Sequence, residues 1–564
     1  MRMSLTTENW QLKMIAENMK RLILLTLLLV MTAAVAVQAQ DPPQDPANFP
    51  PDDPTVVIDS TNLPIVWIDV DGATIQRDDH VAARMKIIHN GEGMLNYGDT
   101  IAHPGQRIDY EGYIALRYRG NTSFYLSDKK PYQFRTLAKP YEPGEVMDKK
   151  KVPILGMGKD NKWALLAPYS DRSMIRDLLG FEVARPWMEY TPQGRLCEVY
   201  LDGIYYGVFV LCEVVSKGKY RLNLDDPGEE GDALTGGYLM EVGSPGDGPH
   251  YVSQYKPMDN NGYTYKDSTS HIYFLYKSPD YEDMTPAQIN YIDSAINEME
   301  ALFASSKFRD PVIGYRKLVD VQSFMDYQLT MELCHNMDAY RLSAKLYKRR
   351  DSVDTRFKMV VWDMNLGFGN CRHNQGYMTD TWVYRLNSYL HKNGDHLIPF
   401  WWYKMSIDKA YVADRKARWA QWRESNLRYD RFMATIDSLA NEVTCCGAEA
   451  RNTQAWPRWG IWLWPNKFVA GSYEEEIAYM KEWITDRIIW LDAKHEYTPP
   501  APVYAPGDVN GDGDVNISDI NLLINIILTN DYAHDGYGRA DINGDSEVNV
   551  SDVMVLINII LTTG

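Results

Sequence analysis

The chain changes its pattern of apolar and polar positions several times. From Leu63 onward, the segments PIVWIDVDG, ARMKIIHN and YEGYIALRYRGNTS alternate with a period of two and are punctuated by Gly, Asp and Asn. That pattern predicts short strands separated by turns. Residues 133–137 and 161–169 read the same way, and residues 196–215 form two apolar runs around Asp202-Gly203, a strong two-residue hairpin signal. Residues 236–241 add a further strand. The period then changes to 3.6. Residues 174–187 follow the polar opening Ser170-Asp171-Arg172-Ser173, and residues 280–330, 404–443 and 473–495 continue as helices. The order of elements, strands first and helices later, predicts an α+β fold with antiparallel sheets and a helical C-terminal half.

The chain centres on residues 334–369, CHNMDAYRLSAKLYKRRDSVDTRFKMVVWDMNLGFG. Asp338 follows the polar pair His335-Asn336, and Asp363 ends the apolar run 357–362. Residues 344–348 alternate as a strand and 351–355 supply a turn, so one acid enters a hairpin and the other leaves it. Both carboxylates are thereby expected at one end of a sheet. Phosphoryl transfer needs that layout: one acid orients the attacking hydroxyl and another holds the metal that neutralises phosphate. Ordinary turn aspartates would give the same letters, because Asp favours turns through its own backbone hydrogen bonds. Gly120-Asn121 after a strand makes a tight loop rich in backbone donors, and Lys129-Lys130 behind it lead into the next strand as candidate phosphate contacts. Glu182, on the helix after Ser173, is a candidate ion-pair partner for such a lysine. Ser127 and Lys130 fit a Ser-x-x-Lys nucleophile spacing, without the companion motifs that such hydrolases carry.

With 564 residues, the chain is long enough for more than one domain, and 45% apolar residues suffice for a large core. A formal net charge of −18 argues against a nucleic-acid partner. Residues 19–39 combine a basic start at Lys20-Arg21, an apolar stretch 22–30 and the small-x-small site Val37-Gln38-Ala39. They read as a signal peptide within residues 1–39, with Met19 a candidate true start and no transmembrane anchor left in the mature chain. Export permits disulfides among the six cysteines, yet none makes a CxxC pair, and buried free thiols are the favoured reading for Cys334 and Cys371. Pro-rich linkers are expected at 40–61 and 496–506. The tryptophans Trp401, Trp402, Trp419, Trp422, Trp456, Trp459, Trp462 and Trp464 are expected in the core rather than as sugar platforms.

The series RYRGNTS, KKPYQFR, KWALLAPYSDRSMIRDLLGFEVAR, EVYLDGIYYGVFVL, GGYLMEV and VVWDMNLGFG, in that order within about 62–495, resembles the spore-coat CotH-type atypical protein kinases. The resemblance implies a two-lobed kinase-like fold that uses ATP and Mg²⁺ to phosphorylate Ser or Thr. It implies Lys130 or Lys129 on the phosphates, Glu182 orienting that lysine, Asp338 as catalytic-loop acid and Asp363 as metal ligand. The family pattern departs at the position five after the catalytic Asp, where a metal-binding Asn is replaced by Ser343. Either Asn365 substitutes or metal binding weakens, and a catalytically silent interaction module is the alternative.

GDVNGDGDVNISDINLLINIIL (507–528) recurs as ADINGDSEVNVSDVMVLINIIL (540–561). Asp508, Asn510, Asp512, Asn516 and Asp519 sit at EF-hand ligand offsets, with Asp514 offering a carbonyl. Asp541, Asn543, Asp545, Asn549 and Asp552, with the carbonyl of Glu547, repeat them. A polar turn before a helix does not account for two matched copies, so calcium is expected in both. The repeat resembles type I dockerins, which implies a small all-α domain (507–564), two Ca²⁺, a cohesin-bearing scaffold as partner, and a place in secreted or cell-surface machinery. Dockerin association with polysaccharide degradation leaves a glycan-binding or glycan-acting accessory protein as a third reading, although no carboxylate pair of glycosidase type stands out.

Overall fold

The computed structural model describes residues 50–267, 270–500, 506–511, 513–529, 531, 534 and 536–563. The expected signal peptide lies outside these residues. The chain divides after Tyr497 into a large unit and a small C-terminal one.

Seven strands in the first part of the large unit form its main sheet: β1 (Ile65–Asp69), β2 (Val81–Ile88), β3 (Ile108–Tyr118), β4 (Tyr132–Leu137), β5 (Lys162–Leu166), β6 (Gly194–Leu201) and β7 (Ile204–Glu213). They close into a barrel in the order β6-β7-β5-β4-β3-β2-β1. Neighbours are antiparallel except at the seam, where β1 runs parallel to β6 with Glu198 opposite Ile65 and Leu201 opposite Ile68. The antiparallel sheets expected from the sequence thus include a closed barrel with one parallel seam. Closure removes exposed strand edges, and Val66, Ile68, Ile87, Ile114, Phe134, Trp163, Phe209 and Leu211 are buried in its apolar cluster. The β6–β7 turn is Asp202-Gly203, both residues at positive φ (47° and 79°), as a primed two-residue turn requires.

A second, all-antiparallel sheet contains β8 (Tyr238–Val242), β9 (His250–Val252), β10 (Tyr273–Ser278), β11 (Ala344–Lys348) and β12 (Phe357–Val360) in the order β9-β10-β8-β11-β12. With it go the helices α1 (Arg176–Ala184), α2 (Pro286–Ala304), α3 (Val321–Cys334), α4 (Lys409–Arg423), α5 (Tyr429–Thr444) and α7 (Tyr473–His495), whereas α6 (Ala448–Ala455) packs on β7 of the barrel. Helix α2 starts on a capping box, Thr285 with Gln288, and has Pro286 in its first turn. In α3 every residue from Phe324 to Cys334 is buried. Trp401, Trp402, Trp419 and Trp422 are fully inside this helical core, and Trp456 is 4% exposed. Trp459, Trp462 and Trp464 are only partly buried, a departure from the core expectation, and Trp464 reaches the cleft described below.

Residues 50–61 do not behave as a free linker. Ser60–Thr61 pairs with Asn96–Tyr97, Val56 and Ile58 are buried, and Asp52 is held by Arg458 at 2.5 Å. All six cysteines are free thiols.

The small unit contains α8 (Ile517–Thr529) and α9 (Val550–Thr563), packed through Val509, Leu523, Ile526, Ala540, Val553 and Leu556. The repeated apolar positions of the sequence thus face each other.

Candidate active site and calcium loops

Helix α3 stops at His335, whose left-handed backbone (φ 50°, ψ 46°) turns the chain out of the helix. Asn336 then bolts two loops together. Its side-chain oxygen accepts from the Asp338 amide at 3.1 Å, and its side-chain nitrogen donates to the Asp363 carbonyl at 2.6 Å. The hairpin β11–β12 lies between those loops, with Ser343 entering it and Asp363 following it, both at positive φ (53° and 66°). Such backbone is uncommon outside glycine. Here it turns side chains that strand alternation would separate towards one another. Ser343 Oγ donates to Asp363 Oδ2 at 3.1 Å, and Asn365 Nδ2 donates to Asp363 Oδ1 at 2.8 Å. Asp338, Ser343, Asp363 and Asn365 all line one cleft of about 760 Å³.

A third acid joins them. Asp177 on α1 lines the same cleft, and its Oδ1 accepts from the Met364 amide at 2.7 Å. Burial, with the neighbouring Asp363 charge, pushes its carboxyl up to about 7. Burial also raises Asp338, Asp363 adding to the shift and Arg341, 3.0 Å away, opposing it. Among the described residues no three His, Cys, Asp or Glu side chains already enclose a metal position.

The cleft also collects cations: Arg117, Arg119, Lys162, Lys277 and Lys345. Lys277 and Lys345 share the Glu241 carboxylate, Lys277 at 3.1 Å. Lys162 opens β5, and burial pushes its ammonium down to about 8, with Arg135, Arg117 and Lys277 adding to the effect and Asp280 opposing it. Acids and cations therefore line the same cleft side by side, and a bound anion would relieve the mutual repulsion that lowers Lys162.

Several expected site residues lie elsewhere. Lys130 is fully buried, its ammonium donating to the Phe124 carbonyl at 2.6 Å. Lys129 is also buried and donates to Val208 O at 2.5 Å and Asn452 Oδ1 at 2.9 Å, its ammonium pushed down to about 7 by burial. Neither lines the cleft. The chain entering β4 carries both lysines under the short helix Thr122–Leu126 and against β7, where they hold backbone carbonyls. Glu182 is corrected too: it stands in solvent, paired with Arg185 at 2.9 Å. It is five residues beyond Asp177, roughly 140° further around α1, so the two acids cannot share a face. Asn121 does line the cleft, and its amide donates to Asp247 Oδ1 at 3.3 Å. The sequence reading missed Asp177 and Lys162, although it predicted the helix and the strand that carry them.

In the small unit, Asp508 accepts from the amides of Gly511 (2.7 Å) and Gly513 (3.0 Å). Asp519, fully buried in the first turn of α8, reaches back to the amides of Asn510 and Asn516, both at 2.9 Å. The second loop repeats this. Asp541 accepts from Gly544, Asp545 and Ser546 (2.8, 3.1 and 2.8 Å). Asp552, equally buried, accepts from Ile542, Asn543 and Asn549 (2.8, 3.1 and 2.9 Å). Asn516 and Asn549 take the amides of Ser518 and Ser551, both at 2.8 Å, while Asp545 accepts from the amide of Glu547 at 2.9 Å. Asp514 lies in the described part of the first loop, whereas Asp512 lies outside the described residues. The acid that closes each loop is Asp, one methylene shorter than Glu, and this shorter arm folds back over the loop from the helix start.

The family model described as CotH kinase protein matches residues 116–491, and that described as dockerin type I domain matches residues 506–561. No curated protein matches the chain.

Proposed function

Because the chain belongs to the CotH kinase protein family and ends in a type I dockerin domain, we propose that its large unit transfers the γ-phosphoryl group of ATP to Ser or Thr hydroxyls. In the same reading the small unit, a calcium-binding dockerin, tethers it to a cohesin-bearing scaffold outside the cell. One observation carries the kinase reading: a single cleft gathers the acids Asp177, Asp338 and Asp363 and the cations Arg117, Arg119, Lys162 and Lys277. A magnesium nucleotide needs both kinds of partner, acids for the metal and cations for the phosphates. Asp338 accepts the proton of the attacking hydroxyl, and Arg341 beside it fixes the orientation of its carboxylate. Asp363 takes the metal, flanked by the Asn365 amide and the Ser343 hydroxyl.

The acids fit Mg²⁺, since Asp363 raises the proton affinity of both neighbouring carboxylates and a cation would relieve that repulsion. Mg²⁺ is commonly held by one or two carboxylates together with phosphate oxygens and waters; when bound it neutralises charge on the transferring group. Asn365, already hydrogen-bonded to Asp363, supplies the amide that the family pattern puts where Ser343 stands. Lys162, at the start of a barrel strand, takes the phosphate-binding part expected of Lys130.

Ser343 also favours a second reading, a kinase-like interaction module without turnover. Transfer of label from γ-labelled ATP to protein separates the two. Asp363→Ala is expected to lower it by about two to three orders of magnitude, and wild-type levels of labelling in that variant end the assignment. Nucleotide-dependent thermal stabilisation in Mg²⁺ without any transfer by the wild type supports the second reading. Among the described residues no helix is long and apolar enough to cross a membrane, and dockerins usually belong to extracellular or cell-surface assemblies; export and a link to polysaccharide breakdown belong to the same proposal.

A further inference from the structure

The barrel carries a second concavity, of about 740 Å³, on its outer face and away from the phosphotransfer cleft. Strand register builds it. Trp67 and Asp69 on β1 pair with Lys86 and Arg84 on β2, which pair in turn with Glu111 and Tyr113 on β3. Register partners share a face of the sheet, so these side chains stand together outside while Ile68 and Met85 between them turn inward. Trp67 stands stacked on Tyr200 (centroids 3.9 Å apart, planes within 3°), and Arg84 lies 5.2 Å from the centre of the Tyr113 ring. The result is a concavity lined by the rings of Trp67 and Tyr113 together with the turn acids Asp71 and Asp202.

Asp69 accepts the Asp71 amide at 2.9 Å and Asp202 the Val70 amide at 2.8 Å, but the charges across the strands are not paired. Register sets Asp69 opposite Arg84 and Lys86 opposite Glu111, yet neither couple closes into an ion pair among the described residues. The buried indole N–H of Trp67 has no hydrogen-bond partner either. Four acids, Asp69, Asp71, Glu111 and Asp202, face two cations, Arg84 and Lys86, so the lining is acidic overall.

We propose that this groove binds a neutral pyranose oligosaccharide. A pyranose ring has an apolar C–H face that packs on an aromatic ring, and a rim of hydroxyls that both donate and accept. Mixed carboxylates and cations satisfy such a rim, while acidic excess repels phosphate, nucleic acid and acidic sugars. The volume lies within the range of small-ligand clefts, in which apolar walls and a few placed polar groups set orientation. A basic peptide would meet the acids but would leave Arg84 and Lys86 desolvated and unpaired, so sugar is favoured over peptide. The inference does not depend on phosphotransfer.

Calorimetric titration of the full chain tests it, with cellohexaose, xylohexaose and mannohexaose as neutral probes, hexagalacturonate as an anionic one, and a Lys-Ser repeat peptide as a basic one. At least one neutral hexasaccharide is expected to bind. Trp67→Ala, and separately the exposed double variant Arg84→Ala with Glu111→Ala, are each expected to weaken it about tenfold or more. Asp363→Ala is expected to leave that affinity unchanged. The double variant guards against loss of folding in Trp67→Ala, since Trp67 also packs on Tyr200. Absence of binding by all three neutral probes, binding of the basic peptide in their place, or full affinity in the double variant overturns the proposal.

Discussion

Replacing Asp177 by Asn tests the electrostatics of the cleft without touching Asp338 or Asp363. The Asp177 carboxyl is raised from an ordinary 3.8 to about 7, first by burial and then by Asp363. Protons bind this group more tightly in the folded chain than in the unfolded one. Below about pH 4 both states are protonated, and the group costs nothing. As pH rises from about 4 to 7 the unfolded chain releases the proton while the folded chain keeps it, so stability falls; above 7 the loss is complete. The shift corresponds to roughly 4 kcal/mol as an upper bound, at about 1.4 kcal/mol per unit. Asparagine keeps an oxygen to accept the Met364 amide and carries no charge. Asp177→Asn is therefore expected to stabilise the metal-free protein at pH 8 by about 2–4 kcal/mol, and to flatten its stability between pH 4 and 7 relative to the wild type. Chemical denaturation of both proteins in EDTA, at matched pH values, measures the difference. The same variant should gain less stability from Mg²⁺ and ATP. If Asp177→Asn is less stable than the wild type at pH 8, or its pH profile is parallel, Asp177 does not feel the burial and the Asp363 field assigned to it.

The two lysine positions are separable by the same approach. Lys162→Met is expected to weaken magnesium-nucleotide binding about tenfold or more, because charge-assisted phosphate contacts are lost, with folding retained. Lys130→Met is expected to cost about 1–3 kcal/mol of stability by orphaning the Phe124 carbonyl and to leave nucleotide affinity near wild type; the reverse pattern in isothermal titration and melting curves would restore Lys130 to the site. Ellman titration of the native protein is expected to find Cys445 and Cys446 alone, since Cys197, Cys212, Cys334 and Cys371 are buried with thiols raised by burial; six reactive thiols without denaturant contradict that packing. Calcium chelation is expected to melt the C-terminal unit, whose buried Asp519 and Asp552 lose their counter-ion, leaving the main unfolding transition of the full chain in place. A single, unshifted transition in EGTA would falsify this reading of the loops.

Local pattern alone determined much of this protein. The calcium loops were legible because a metal site built from one short loop writes its ligands at fixed offsets, and a repeated loop writes them twice. The hairpin 344–360 and its two flanking acids were legible for the same reason: alternation, a turn and an Asp at each end are all local. What tertiary structure decided is which side chains look into the cleft. Lys130 and Lys162 both lie at or just before strand starts, and the sequence has no sign for which of them faces the cleft; the tuck of Lys130 under the helix Thr122–Leu126 excludes it, while Lys162, opposite Arg135 on β4, lines the cleft. Asp177 and Glu182 share a helix, and the packing of that helix against the Met364 loop selects the former. The groove beside Trp67 was equally silent, because its walls come from three strands up to 46 positions apart in the chain, brought side by side only by their register.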